Sequence, residues 1–341
     1  MKMRVRNSRR LPLVVLAVAG AMVVAACSSS SPSSSSSSPS SSSKTGSADA
    51  PLKVGIVLFS SDNPVTVGVS KQIQAVGAPL GWEFSEIDPG ASVEKAVGAI
   101  NTLIQQQVSV IVTMVFESNG LAAGLQKAKA AGIPVVTYGG GPADGIQASW
   151  DIGTGSGADI AARILEDTNG EATILALGYT PGLPCRAREE ALNAAVKGKP
   201  SITLKRQEVP VPGAAAATTQ FTNAYLTTLS PSAPDPVVWA CYDGAGVPAA
   251  AAVKASKRSG VKVYSFDGTA AALQQIKAGT MTASVWLDPV AGGNDVAKKL
   301  PGVVAAGTDG TPENFDAPGI IVDSSNLTEF LADHPDALTG S

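Results

Sequence analysis

The chain has 341 residues, 44% of them hydrophobic and 16% charged, with 25 Lys and Arg against 28 Asp and Glu for a formal net charge of −3. Removing residues 1–26 takes away Lys2, Arg4, Arg6, Arg9 and Arg10 and no acid, which leaves −8, and so acidic a body excludes nucleic acid as a partner. A single histidine, His334, and three cysteines supply no Ser-His-Asp or Cys-His arrangement and no clustered ligand set, so the sequence assigns no catalytic residue, no metal and no cofactor.

The amino terminus is a basic stretch followed by an apolar run from Leu11 to Ala26. At about 16 residues the run is shorter than the ~20 a helix needs to span the hydrocarbon core, so residues 1–26 are expected to be a signal peptide and not a permanent span. Val24-Ala25-Ala26-Cys27 resembles the bacterial lipobox, which implies that Cys27 is lipidated and becomes the new terminus. Residues 27–50 then form a tether, because Ser28 to Ser43 is a serine-rich tract that cannot bury apolar surface. Ser8-Arg9-Arg10-Leu11 resembles a twin-arginine signal, and both that route and general secretion stay open.

From Lys53 onward, short β-branched runs alternate with amphipathic stretches rich in Ala, Gln and Lys, the rhythm of βαβ units. Strands are predicted at 54–59, 83–87, 108–112 and 134–138, with helices over 92–107 and 118–131, the latter stopped by Gly132. A second series follows a strand-like 148–152, with strands at 173–177, 202–208, 237–240, 261–266 and 282–286 and helices over 186–197 and 247–260. The same unit occurs twice. The fold class is therefore α/β, with two doubly wound parallel-sheet lobes and a ligand crevice at the carboxyl ends of their strands.

Several phrases together resemble the type I periplasmic binding proteins, the ribose- and sugar-binding family, over Lys53 to Asp323. They are the first strand with its Asn63-Pro64 loop, Ser109 to Thr113 followed by Ala128 to Thr137 (AKAAGIPVVT), the stretch from Gly178 to Cys185-Arg186-Ala187-Arg188-Glu189, and Val263 to Gly268 (VYSFDG). The resemblance implies two lobes joined by a hinge of crossing segments that close on a ligand. By analogy the first lobe is 51–152 plus 288–317 and the second 153–287 plus 318–341.

Carried over position by position, the resemblance makes Asn63 a first-loop ligand contact, Arg186 a strand-end guanidinium and Asp267 a carboxylate that accepts hydroxyl hydrogens. A rigid forked donor and a bidentate acceptor suit a polyhydroxylated solute. The alternatives are that Arg186 and Asp267 pair with each other or cap helices, and that Asn63 starts a helix. Where sugar-binding relatives often carry an Asp-Arg pair, this chain has Tyr138-Gly139-Gly140-Gly141. Tyr242 stands where an amide is common, and Leu287 near a usual glutamine. Phe59, Phe116, Tyr138, Tyr179, Tyr242 and Trp286 all map close to strand ends in a chain with only 5% aromatics. Pocket and core roles remain equally open for Phe59, Tyr138 and Tyr242. Cys185 and Cys241 precede two expected ligand-facing residues, which allows a disulfide or two small buried side chains. Gly153-Thr154-Gly155-Ser156-Gly157-Ala158 echoes a dinucleotide fingerprint, but in this family the position is an interlobe crossing.

These readings predict a monomeric, extracytoplasmic solute-binding lipoprotein, anchored at the outer face of the cytoplasmic membrane. Its expected partners are a sugar, polyol or other small solute and the permease and ATPase subunits of an ABC importer. A lipoprotein that reports its ligand to a membrane signalling receptor is the alternative. An enzyme is not expected.

Overall fold

The computed structural model describes residues 51–230 and 233–338. The leader, Cys27 and the serine-rich tether lie outside the described residues. In chain order the first half runs β1 (Lys53–Val57), α1 (Pro64–Gly77), β2 (Glu83–Ile87), α2 (Val93–Gln105), β3 (Val110–Met114), α3 (Ala122–Ala130), β4 (Val135–Tyr138) and β5 (Ile146–Asp151). The second half runs α4 (Thr154–Asp167), β6 (Ala172–Gly178), α5 (Leu183–Val196), β7 (Ile202–Glu208), α6 (Ala214–Thr228), β8 (Pro236–Ala240), α7 (Asp243–Ser256), β9 (Lys262–Asp267), α8 (Ala270–Lys277) and β10 (Ala283–Trp286). The chain closes with α9 (Pro289–Ala306), β11 (Glu313–Asp316), β12 (Ile320–Asp323) and α10 (Leu327–Asp333).

Two six-stranded sheets result, ordered β11-β5-β4-β3-β1-β2 and β12-β10-β9-β8-β6-β7. Every neighbouring pair is parallel except β10 and β12. Central strands such as β3 and β8 are buried along their whole length, as expected where helices cover both faces. The two α/β sheets are the architecture expected from the repeated βαβ rhythm. Because β10 ends in the second sheet and α9 leads back to β11 in the first, while β12 returns to the second, three segments pass between the sheets, at about Ile152, Leu287 and Ala317.

Helix starts place side chains where the strands end. Asn63, Ser92, Thr269 and Asp288 each accept a backbone N–H in the first turn of α1, α2, α8 and α9, an arrangement worth about 1 kcal/mol per cap.

The glycine run at the first crossing is a packing device. A Cβ on Gly153 would lie 3.0 Å from the Pro184 Cα, and one on Gly157 would lie 2.7 Å from the Arg188 Cα, whereas Gly155 faces open space. Glycines four apart thus let α4 approach the backbone of α5 closely. Gly157→Ala is expected to push α5 outward, costing about 1–3 kcal/mol and weakening solute binding through displaced Arg188. Gly155→Ala should instead gain up to about 1 kcal/mol from helix propensity. Urea unfolding of both variants checks the opposite signs. Among the described residues no helix is long and apolar enough to cross a membrane.

Candidate ligand-binding cleft

The carboxyl ends of β1, β3, β6, β8 and β9 converge on a cavity of about 290 Å³. The first lobe supplies Phe59, Asn63, Val65 and Val115, and the second supplies Tyr179, Arg188, Tyr242 and Asp267, with Ile152 from the first crossing. The lobes also touch beside it. Phe116 and Gly182 form an antiparallel bridge, the Phe59 and Tyr179 rings meet edge-on at 6.1 Å, and Arg186 pairs with Glu117 at 2.9 Å. Two non-glycine residues on the cavity wall hold left-handed backbone, Val115 at φ 66° and Asp267 at φ 102°. For a β-branched residue that conformation is costly, and such strain concentrates at functional sites.

Arg188 is the centre of the polar wall. It is 2% exposed, and its guanidinium donates to the Cys241 carbonyl at 2.7 Å, the Ile152 carbonyl at 3.0 Å and the Asp267 carboxylate at 3.3 Å. It lies over the Phe266 ring at 4.6 Å. Its Nε has no protein partner, nor does the buried Tyr242 hydroxyl. Both atoms are fully buried, as are unpartnered side-chain atoms elsewhere in the core such as Trp239 Nε1 and Ser265 Oγ. Cys185 and Cys241 are bonded, with Cα atoms 5.0 Å apart, which ties the start of α5 to the end of β8 directly beneath Arg188.

Burial pushes the Asp267 carboxyl up, an effect that Arg188 opposes. Burial and the nearby Asp267 charge push Asp243 up as well, although Thr269 and Ser284 donate to it. A raised carboxyl keeps a proton that the unfolded chain has released. Between the ordinary Asp value of 3.8 and the raised values, folding therefore takes up protons, and stability rises as pH falls. The ligand-free protein is expected to melt higher at about pH 5 than at about pH 7.5, and scanning calorimetry across that interval checks the sign.

The structure brings Phe59, Asn63, Tyr242 and Asp267 to one cavity and leaves Arg186, Tyr138 and Leu287 off it. Asn63 does both jobs considered for it, since its Oδ1 caps α1 through the Thr66 N–H at 3.0 Å while the residue lines the cavity. Arg186 is not at a strand end. It sits on α5 at the rim, held by Glu117 and the Thr180 carbonyl. Tyr138 is 1% exposed and packs against α9, where a Cβ on Gly292 would come 2.7 Å from its hydroxyl. Leu287 lines a neighbouring cavity of about 320 Å³ together with Trp286 and His334. Sequence reasoning missed Arg188, Val65 and Val115. A signal for Arg188 existed, because Cys185, Arg188 and Leu192 share the buried stripe of α5 and Arg186 falls outside it. Val65 and Val115 read as ordinary core.

A family model described as a periplasmic binding protein domain matches residues 54–313. A D-apiose import binding protein from Paraburkholderia graminis is 26% identical over 277 residues, covering 79% of this chain and 86% of the relative. The solved ABC transporter solute binding protein from Agrobacterium vitis with bound allitol aligns with a TM-score of 0.77 at 22% identity, over 83% of this chain and 99% of that one. A Mycobacterium smegmatis solute binding protein with bound glycerol aligns at 0.69 and 25% identity, over 82% and 96%.

Proposed function

This chain belongs to the periplasmic binding protein family, and from that premise we propose that it is the extracytoplasmic solute-binding component of an ABC importer, taking a sugar or polyol into the cleft between its lobes. The observation that carries the reading is the buried Arg188–Asp267 pair on a cavity walled from both lobes. The carboxylate, oriented by the guanidinium, accepts hydroxyl hydrogens, and Phe59, Tyr179 and Tyr242 cover the solute's less polar surface. The cavity is the size of a monosaccharide, at the small end of ligand sites.

The Glu117–Arg186 pair and the Phe116–Gly182 bridge join the lobes along one rim, the surface that the bound form presents to the permease. The first lobe is taken as 51–152 with 288–317 and the second as 153–287 with 318–341. In the cell, cleavage before Cys27 and its acylation place a monomer at the outer face of the cytoplasmic membrane. The relatives named for D-apiose import and bound allitol support a neutral polyhydroxylated solute.

The test is a thermal-shift panel of the purified protein against sugars, polyols, nucleosides and small aromatic acids. A true ligand at a hundred times its Kd adds about 2.7 kcal/mol to stability. A shift with a sugar or polyol is the expected result, together with loss of its uptake on gene deletion. Shifts confined to other classes, or intact uptake with a lost transcriptional response, would overturn the importer reading.

A further inference from the structure

We infer that the rim where Glu117 meets Arg186 is a latch: a set of contacts that the chain makes between its own lobes, holding the cleft shut whether or not a solute lies inside. The inference goes beyond the importer reading and needs no particular solute.

The first lobe builds its half of the latch on strained backbone. The Phe116 N–H donates to the Met114 carbonyl at 2.7 Å across Val115, whose φ of 66° makes this a γ-turn of the rare, strained form. The two residues that follow it are the ones that cross to the second lobe, Phe116 bridging to Gly182 and Glu117 pairing with Arg186. Ser118 anchors them, its N–H donating to the Gly140 carbonyl at 2.9 Å and its hydroxyl to the Gly141 carbonyl at 2.7 Å. A Cβ on Gly140 would lie 2.4 Å from the Phe116 carbonyl oxygen, and one on Gly141 would lie 2.5 Å from Cδ2 of Leu183 at the start of α5. The glycine run after Tyr138 therefore brings first-lobe backbone against the second lobe. Strain at Val115 persists because the surrounding contacts over-determine it.

The second lobe presents its half ready-made. While Arg186 pairs with Glu117 at 2.9 Å, its guanidinium also donates to the Thr180 carbonyl at 2.7 Å. Thr180 is itself fixed, its N–H and hydroxyl donating to Glu208 and its hydroxyl accepting from Arg206 at 2.8 Å. A guanidinium already held through Thr180 loses little further freedom on pairing, which reduces the usual cost of a surface ion pair. With side chains 26% and 38% exposed, the pair is worth up to about fivefold in the ratio of closed to open molecules and is weakened by salt.

Small-angle X-ray scattering of the purified protein without solute reads the latch directly, since opening enlarges the radius of gyration. At about 10 mM salt the wild-type protein is expected to be compact, and to expand toward about 1 M salt as the pair is screened. Glu117→Arg is expected to lower the ratio of closed to open molecules about fivefold at low salt. Combining it with Arg186→Glu should recover most of the compact form. Gly141→Ala, which sets a methyl against Leu183, is expected to expand the protein at either salt, and far-UV circular dichroism shows that each variant is folded. A radius indifferent to salt and to Glu117→Arg, whether wide or narrow, overturns the latch. If a sugar still raises the melting temperature of that protein, the importer reading stands and the latch alone falls.

Discussion

Replacing Arg188 with alanine is expected to abolish measurable solute binding and to cost roughly 3–5 kcal/mol of stability, because it strands a buried partner charge. The guanidinium is the shared donor for Asp267 and for the carbonyls of Cys241 and Ile152, so its removal leaves three acceptors without that donor. Ile152 lies on the first crossing between the sheets and Cys241 at the end of β8, so the same side chain joins the hinge to the binding wall. Two controls separate binding from folding. Arg186→Ala removes a rim ion pair with Glu117 and the Thr180 contact, and is expected to change stability by no more than about 1 kcal/mol. An Arg188→Met, Asp267→Leu double variant exchanges the buried pair for apolar groups, which often restores stability, but it leaves no polar anchor for a solute. Calorimetric melting and titration should therefore diverge: stability returns in the double variant and binding does not. Binding retained in Arg188→Ala would remove this residue from the site.

Why Arg186 and not Arg188 stands out in the sequence is instructive. Both fit the same family phrase, and the phrase does not fix helix phase. Helix phase does, since the buried residues Pro184, Cys185, Arg188 and Leu192 follow the spacing of one face of α5. The repeated βαβ pattern was legible because buried parallel strands are continuous β-branched runs, and Val135–Tyr138 and Pro236–Ala240 fall where the pattern places them. The edge strand β11 was not legible, because Glu313–Asp316 is largely exposed and owes its conformation to pairing with β5 some 165 residues away, as in the Ser149–Asn314 hydrogen bond. Tyr138 shows a different limit. Being at a strand end does not say which side of the sheet receives the ring, and here α9 arrives over it from the far end of the chain. The glycine run at 153–157 misleads for a similar reason, since close helix packing and phosphate binding both demand a missing Cβ.

Breaking the Cys185–Cys241 bond is expected to lower the melting temperature by roughly 10 °C, the equivalent of about 4 kcal/mol for a domain of this size. The figure follows from the sequence separation of 56 residues, a long loop whose closure would otherwise be lost to the unfolded chain. The effect should extend to the site. The carbonyl of Cys241 accepts from Arg188 at 2.7 Å, and Cys185 lies in the first turn of the helix that carries Arg188, so the bond fixes donor and acceptor against each other. A Cys185→Ala, Cys241→Ala variant is therefore expected to bind its solute about tenfold more weakly than the oxidised protein, since pre-organisation is lost while every polar group remains. Titrating reductant into the wild-type protein while following both melting and affinity provides the check. If the two fall together, the crosslink positions the arginine; if melting falls and affinity holds, it serves the fold alone. A melting temperature indifferent to reductant would mean that the two sulfurs are not bonded in solution.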